Sequence, residues 1–116
     1  MHNFQNLVIW QKAMDVTEKV YKITSDFPSG EKFGLTNQIR RSAVSIASNI
    51  AEGAGRNSDK EFRNFLGIAN GSLNELYTQL ILSSKLKLVS EENIKPILND
   101  LMEIQKMNYT LIKKYS

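Results

Sequence analysis

Hydrophobic residues recur every three or four positions along most of the chain, which is the spacing of an amphipathic α-helix. The pattern predicts four helices. The first two run from about Asn6 to Asp26 and from about Leu35 to Gly53; the third begins at Ser58 and fades near Leu86, and the fourth begins at Ser90. The alternating pattern that indicates a β-strand is absent from the sequence.

The apolar positions of the four helices are expected to form one core. On the first two helices they are Leu7, Trp10, Ala13, Met14, Thr17, Val20, Tyr21 and Thr24, then Leu35, Ile39, Ala43, Ile46, Ile50 and Ala54. On the last two they are Phe62, Phe65, Leu66, Ala69, Leu73, Leu76 and Leu80, then Ile94, Ile97, Leu98, Leu101, Ile104, Asn108, Leu111 and Tyr115. Because the connections are short, neighbouring helices are expected to run antiparallel. The sequence predicts an all-α fold, an antiparallel up-down-up-down four-helix bundle, in one domain spanning residues 1–116.

Local signals mark several helix ends. Pro28 ends the first helix. Gly53 or Gly55 is expected to end the second helix in a left-handed conformation. Ser58 and Glu61 have the spacing of a capping box, which predicts the start of the third helix.

Composition restricts the class of protein. The 116 residues include no cysteine, which excludes disulfides and thiolate metal sites, and the formal net charge is +3. No apolar run approaches the ~20 residues needed to span a bilayer. The N-terminus lacks the basic start and small-residue cleavage site of a secretory signal. We therefore expect a cytoplasmic protein with no membrane partner.

Residues that could carry catalysis are scarce. His2 is the only histidine, and at a mobile terminus we expect it to be a bystander. A di-iron bundle needs two Glu-x-x-His pairs, and the sequence has none. Gly53-Ala54-Gly55 lacks the lysine and the preceding strand of a phosphate-binding loop. We therefore predict no enzyme activity, no catalytic residue, no metal site and no cofactor.

The second helix has an unusual polar face. Gln38, Arg41, Ser45, Asn49 and Glu52, here called the polar stripe, follow one another at helical spacing and so share one side. Ser and Asn are poor helix formers, and an isolated solvent-facing helix usually carries Lys and Glu instead. Three interpretations are open: a solvated face, a ligand groove, or a helix–helix contact, either within the bundle or between subunits.

The third helix favours a contact. Its non-core side is filled mainly by small and amide residues: Arg63, Gly67, Asn70, Gly71 and Asn74. Two glycines inside a helix cost about 1 kcal/mol each relative to alanine, so something is expected to use the room that they leave. We interpret the polar stripe as an assembly surface, in which Arg41 and Glu52 form charge-assisted hydrogen bonds with a neighbouring helix or subunit.

Basic residues are concentrated on the second helix, the following turn and the start of the third helix. We predict that four of them bind nucleic acid, because guanidinium groups match phosphate oxygens: Arg40, Arg56, Lys60 and Arg63. The alternative is that they form salt bridges with acids of the same stretch, which are Glu52, Asp59 and Glu61.

The same residues carry a resemblance to a known family. The matching motifs are Phe4-Gln5-Asn6-Leu7-Val8-Ile9-Trp10-Gln11-Lys12-Ala13, Glu31-Lys32-Phe33-Gly34-Leu35, Gln38-Ile39-Arg40-Arg41-Ser42, Asn49-Ile50-Ala51-Glu52-Gly53 and Ala69-Asn70-Gly71-Ser72-Leu73-Asn74-Glu75-Leu76. They resemble the four-helix-bundle proteins encoded in intervening sequences of bacterial 23S ribosomal RNA genes, over about residues 4 to 90. The same fold family includes the accessory variability determinant protein of diversity-generating retroelements.

The resemblance implies an antiparallel four-helix bundle assembled into a homopentameric ring or barrel. The accessory relatives use a basic barrel surface to bind nucleic acid and their reverse transcriptase. We therefore predict a non-catalytic homo-oligomeric accessory protein that binds RNA or other nucleic acid, such as DNA, through a basic surface. The alternative is an oligomeric scaffold whose partner is a reverse transcriptase or another protein.

Overall fold

Four α-helices follow one another in the computed structural model, which describes residues 1–31 and 34–116. They are α1 (Val8–Thr24), α2 (Leu35–Ala54), α3 (Asp59–Lys85) and α4 (Glu91–Lys114). The four predicted helices are confirmed, and Ser58 and Ser90 cap α3 and α4 by accepting hydrogen bonds from the amides of Glu61 and Asn93. Lys32 and Phe33, which belong to one of the matching motifs, lie outside the described residues.

The helices form a bundle in which α1 and α3 each pack against both α2 and α4. Two ion pairs give the relative direction of α1 and α4: Lys12 pairs with Glu103, and Lys19 pairs with Asp100 at 2.7 Å. Residue numbers rise along α1 where they fall along α4, so these helices are antiparallel. The hydrogen bond with Glu103 raises the pKa of Lys12 above its ordinary value.

The core lies between the four helices, and the predicted apolar faces of α2, α3 and α4 are confirmed. Twelve large side chains are almost completely buried: Phe62, Ile9, Ile39, Ile46, Ile50, Leu66, Leu76, Leu80, Ile94, Leu101, Ile104 and Val16. Of the core residues predicted on α2, α3 and α4, five are only partly buried: Leu35, Phe65, Leu98, Leu111 and Tyr115.

The predicted apolar face of α1 is wrong in part. The buried residues of α1 are Ile9, Ala13, Val16, Val20 and Thr24. The prediction omitted Ile9 and Val16, and it included Met14 and Tyr21, which are exposed. Both sets have helical spacing and differ only by a rotation of the helix about its axis. Periodicity alone does not fix that rotation when apolar residues lie on both sides of the true face.

The predicted left-handed glycine at the end of α2 is also wrong. Gly55 follows α2 with a φ of −83°, and no glycine of the described chain has a positive φ. Gly53 lies inside α2 and is buried. A Cβ atom there would lie 2.6 Å from Cβ of Phe65 and 3.1 Å from Cδ1 of Phe62. Gly53 therefore serves the close approach of α3 to α2 and not the end of the helix.

A left-handed residue occurs instead after α3, at Lys87, where φ is 63°. The Lys87 amide donates to the carbonyl of Ser84, and the Leu88 amide donates to the carbonyl of Ser83. These bonds form a Schellman motif, which usually places glycine at this position. A residue with a side chain pays about 1 kcal/mol for this conformation, which is why glycine is usual there. Because Lys87 is not glycine, the sequence does not indicate the motif.

We expect Gly53→Ala to destabilise the protein by about 1–3 kcal/mol, because the added methyl group overlaps Cβ of Phe65 and lies 3.3 Å from the backbone carbonyl oxygen of Phe62. The measurement is urea unfolding at one fixed protein concentration. Gly30→Ala is the control, because nothing lies within 4 Å of a Cβ at that exposed position between α1 and α2. Equal stability changes in the two variants would contradict the close approach at Gly53.

Candidate functional site

The polar stripe of α2 lines a groove against α3. Three of its residues, Gln38, Arg41 and Ser45, border a groove of about 300 Å³ together with Ser42, Ser72, Glu75 and Gln79. All seven side chains are polar, so the groove has the chemistry of a hydrogen-bonding surface and not of an apolar pocket. On α3 the groove is lined by Ser72, Glu75 and Gln79 and by none of the small and amide residues singled out in the sequence. Of those residues, Asn70 and Asn74 accept hydrogen bonds from Gln105 of α4 instead.

The middle of the stripe forms hydrogen bonds within the chain. Oγ of Ser45 lies 2.8 Å from Oγ of Ser72 on α3. Nδ2 of Asn49 donates to both the carbonyl oxygen and the Oγ of Ser45, at 2.8 and 2.9 Å. The short hydroxyl side chains let α2 and α3 pack closely while satisfying each other's polar atoms. For these residues the observed arrangement is the polar layer within the bundle, one of the interpretations left open by the sequence.

The two charged residues of the stripe differ in their contacts. Glu52 accepts a hydrogen bond from Nη2 of Arg56 at 2.7 Å, one turn further along the chain. Arg41 is exposed, and within residues 1–31 and 34–116 no carboxylate forms an ion pair with it. The carboxylate of Glu52 is therefore occupied inside the chain, whereas the guanidinium group of Arg41 is available to a partner.

Arg40 and Arg63 each bind the C-terminal end of another helix. Nε of Arg40 donates to Oγ1 of Thr24 at 2.9 Å, and its Nη2 donates to the carbonyl of Tyr21 at 3.3 Å. The guanidinium group of Arg40 also lies over the Tyr21 ring, 4.5 Å from its centre. Nη1 of Arg63 donates to the carbonyl of Tyr115 at the end of α4. The last carbonyls of a helix carry partial negative charge, so each arginine stabilises the C-terminal end of a neighbouring helix in the same chain.

Arg56 matches the salt-bridge alternative. Besides Glu52, its guanidinium group lies 3.9 Å from Oε2 of Glu61, and it stacks over the Phe65 ring at 4.9 Å. Both carboxylates are substantially exposed, so these pairs contribute little to stability. Lys60 is exposed, and no ion pair involves it in the described part of the chain.

The four predicted nucleic-acid-binding residues do not form one cluster. Arg56, Lys60 and Arg63 lie at the end of the bundle that contains the α2–α3 turn. Arg40 lies on the first half of α2, about 21 Å from Ala54 at a rise of 1.5 Å per residue. Spacing in the sequence did not separate them, because the length of α2 takes its two ends to opposite ends of the bundle.

The sequence pattern did not predict two features of the bundle end that contains the α2–α3 turn. His2, expected at a mobile terminus, packs between the rings of Phe62 and Tyr115, with ring centres 4.8 and 5.0 Å away. Its amide donates to the carbonyl of Ala54 at 2.7 Å. Lys113 and Lys114 of α4 also lie here, because Arg63 binds the adjacent Tyr115. Only the tertiary packing brings these residues together, since they are distant from the α2–α3 turn in the sequence.

The outer face of α3 is open. An added Cβ at Gly67 or Gly71 would meet no atom within 4 Å, and the neighbouring Ile68 is 53% exposed. The room that these glycines leave is therefore not used within the described chain. Within that same chain, no three His, Cys, Asp or Glu side chains are grouped as a metal site requires. No described helix combines the length and apolar composition needed to cross a bilayer.

Comparison with known proteins identifies the family. The family model described as "23S rRNA-intervening sequence protein" matches residues 5–110, which is most of the chain. The chain belongs to this family.

A crystal structure supports the fold of this 23S rRNA-intervening sequence family member. It is of a protein with unknown function from the S23 ribosomal protein family of Bacteroides thetaiotaomicron VPI-5482. The two sequences are 30% identical, the TM-score is 0.82, and the similarity covers 91% of this chain and 99% of that chain. No curated protein matches the sequence.

We expect Arg63→Ala to destabilise the bundle by about 1 kcal/mol, since it removes a charge-assisted hydrogen bond to a helix end that is partly exposed to solvent. Amide hydrogen exchange should accelerate in the last turn of α4 and remain unchanged in the middle of α2. Lys60→Ala, on the same end of the bundle, is the control and should change stability by less than about 0.5 kcal/mol. Equal amide exchange rates in the last turn of α4 for both variants would show that Arg63 does not stabilise the C-terminal end of α4.

Proposed function

We propose that this protein is a non-catalytic, self-associating protein that binds RNA through one end of the bundle. This basic end consists of five residues: Arg56, Lys60, Arg63, Lys113 and Lys114. The observation that supports it is the hydrogen bond from Arg63 to the Tyr115 carbonyl, which brings the end of α4 beside the start of α3. Two basic segments that are distant in sequence therefore share one surface.

The charges at the basic end favour an anionic partner. Its five basic residues outnumber the three acids of the same stretch, Glu52, Asp59 and Glu61. Of these acids, Glu52 and Glu61 are both engaged with Arg56. No ion pair involves the ammonium groups of Lys60, Lys113 or Lys114 within the described residues. All three lysines are exposed. Phosphate groups of a nucleic acid can neutralise such lysines and release bound counterions, which provides the affinity.

The family description is consistent with an RNA partner, since it refers to sequences that interrupt 23S rRNA. A protein partner is the second candidate, and one observation favours it. An apolar groove of about 510 Å³ lies between the start of α1 and α4, lined mainly by Leu7, Val8, Ile9, Met107 and Leu111. Such a groove fits apolar side chains of another protein and offers little to phosphate.

Self-association is supported by the sides of α2 and α3 that face away from the core. Gly71 and Glu75 are one turn apart on α3, and Glu75 borders the same groove as Arg41. The missing side chains at Gly67 and Gly71 leave space for a helix of a second copy to approach, with Ile68 as an apolar contact. A ring of such contacts requires each copy to present a second, different surface to its other neighbour.

We expect binding to a structured RNA to weaken steeply with salt, because each phosphate contact contributes about 0.7–0.9 to the slope of log affinity against log salt. Replacing Lys60, Lys113 and Lys114 with Gln should reduce that slope by about two. The control triple variant replaces Lys22, Lys85 and Lys95, three exposed lysines elsewhere on the surface, with Gln. Fluorescence anisotropy over a salt series measures the slope for the unmodified protein and for the two triple variants.

Equal effects of the two triple variants would contradict a localised site and indicate attraction by net charge alone. No RNA affinity of the unmodified protein at low salt would overturn the RNA proposal and leave the protein-binding candidate.

We expect light scattering to give a mass several times that of one 13.2 kDa chain. Ile68→Lys should lower that mass, because it places a charge in the proposed contact on α3. Met14→Lys is the matched control, since Met14 is an exposed apolar residue on α1. A monomeric unmodified protein, or an unchanged mass for Ile68→Lys, would contradict this contact.

A further inference from the structure

The positive charge of the chain is unevenly distributed. Of its 15 basic residues, three lie in residues 104–116, which contain none of the 12 acidic residues. Residues 1–103 therefore hold 12 of each charge and are neutral overall. The whole net charge of +3 is carried by the last half of α4 and the residues after it, namely by Lys106, Lys113 and Lys114.

An exposed aromatic ring lies within this basic segment. Tyr109 is 67% exposed, more than the other exposed aromatic side chain on a helix, Tyr21 at 42%. The Tyr21 ring is covered by the guanidinium group of Arg40 at 4.5 Å. Among the residues that the structure describes, the only cation over the Tyr109 ring is the more distant ammonium group of Lys113, 5.9 Å from the ring centre. A face of the Tyr109 ring is therefore accessible to a flat ligand.

Two lysines flank Tyr109 along α4. Lys106 precedes it by three residues and Lys113 follows it by four, so all three side chains lie on one face of the helix. Lys106 also borders the apolar groove beside α1, next to Met107 and Thr110. The face thus alternates cation, aromatic ring and cation over about 10 Å, at 1.5 Å per residue.

From this arrangement we propose that the outer face of α4 binds unpaired nucleotides of single-stranded RNA. A base stacks on the Tyr109 ring, while Lys106 and Lys113 contact the flanking phosphates. Stacking on an aromatic side chain requires a base that is free of its own helix, and surrounding lysines attract the backbone. This inference rests on the proposed RNA-binding function and extends the basic end along α4, because Lys113 belongs to both.

The test measures binding of two labelled RNAs, a 12-nucleotide uridine strand and a perfectly paired duplex of the same length. Tyr109→Ala should weaken binding of the single strand at least about fivefold and leave duplex binding unchanged within about twofold, because only the single strand offers a free base. Tyr109→Phe keeps the ring and should bind both RNAs like the unmodified protein. Replacing Lys106 and Lys113 with Gln should lower the salt slope for the single strand by about 1.4, at about 0.7 per phosphate contact.

The controls separate this inference from the broader proposal. Lys85→Gln with Lys95→Gln makes the same change of charge on exposed residues elsewhere and should leave the salt slope for the single strand unchanged. If the unmodified protein binds RNA and Tyr109→Ala binds the single strand and the duplex as tightly as the unmodified protein does, the stacking site is overturned. The RNA-binding function then stands. If the unmodified protein binds neither RNA, both fall. A reduced mass of Tyr109→Ala by light scattering would show instead that this face contacts another protein chain.

Discussion

The close contact of α2 with α3 is the constraint on which the rest of the structure depends. Gly53 has no room for a side chain against Phe62 and Phe65, and one hydroxyl pair, Ser45 with Ser72, joins the same two helices near their middle. Small residues at these positions let the helices approach closely, and the polar atoms bond to one another instead of to water. Because α2 and α3 form the most extensive helix pair, α1 and α4 pack against a framework that this contact sets.

The arginines illustrate how tertiary structure assigns roles that residue type leaves open. Arg40 and Arg63, both predicted from the sequence to bind nucleic acid, each donate to carbonyls at the end of a neighbouring helix. Those carbonyls form the negative end of a helix dipole, so a fixed guanidinium group there stabilises the bundle. The cationic groups that are available to an external anion are mainly lysines. Four of them have no carboxylate partner in the described chain: Lys60, Lys106, Lys113 and Lys114.

Two surfaces are therefore distinct in chemistry. The α2–α3 side carries small and amide residues, with an open face at Gly67 and Gly71, and suits close packing against another helix. The end of α4 carries lysines around an exposed tyrosine and suits an anionic, flat ligand. A protein that self-associates through the first surface would repeat the second one around the assembly, which raises its apparent affinity for a long RNA through multivalency.

The sequence by itself determined the four helices, most of their core residues and the caps at Ser58 and Ser90, because these follow from local spacing and local hydrogen bonding. It also carried the family resemblance. Only the tertiary structure decided the rotation of α1, the packing role of Gly53 and the separation of Arg40 from Arg56. Each of these depends on which residues of distant segments become neighbours, and a pattern read along one helix contains no information about the helix that packs against it.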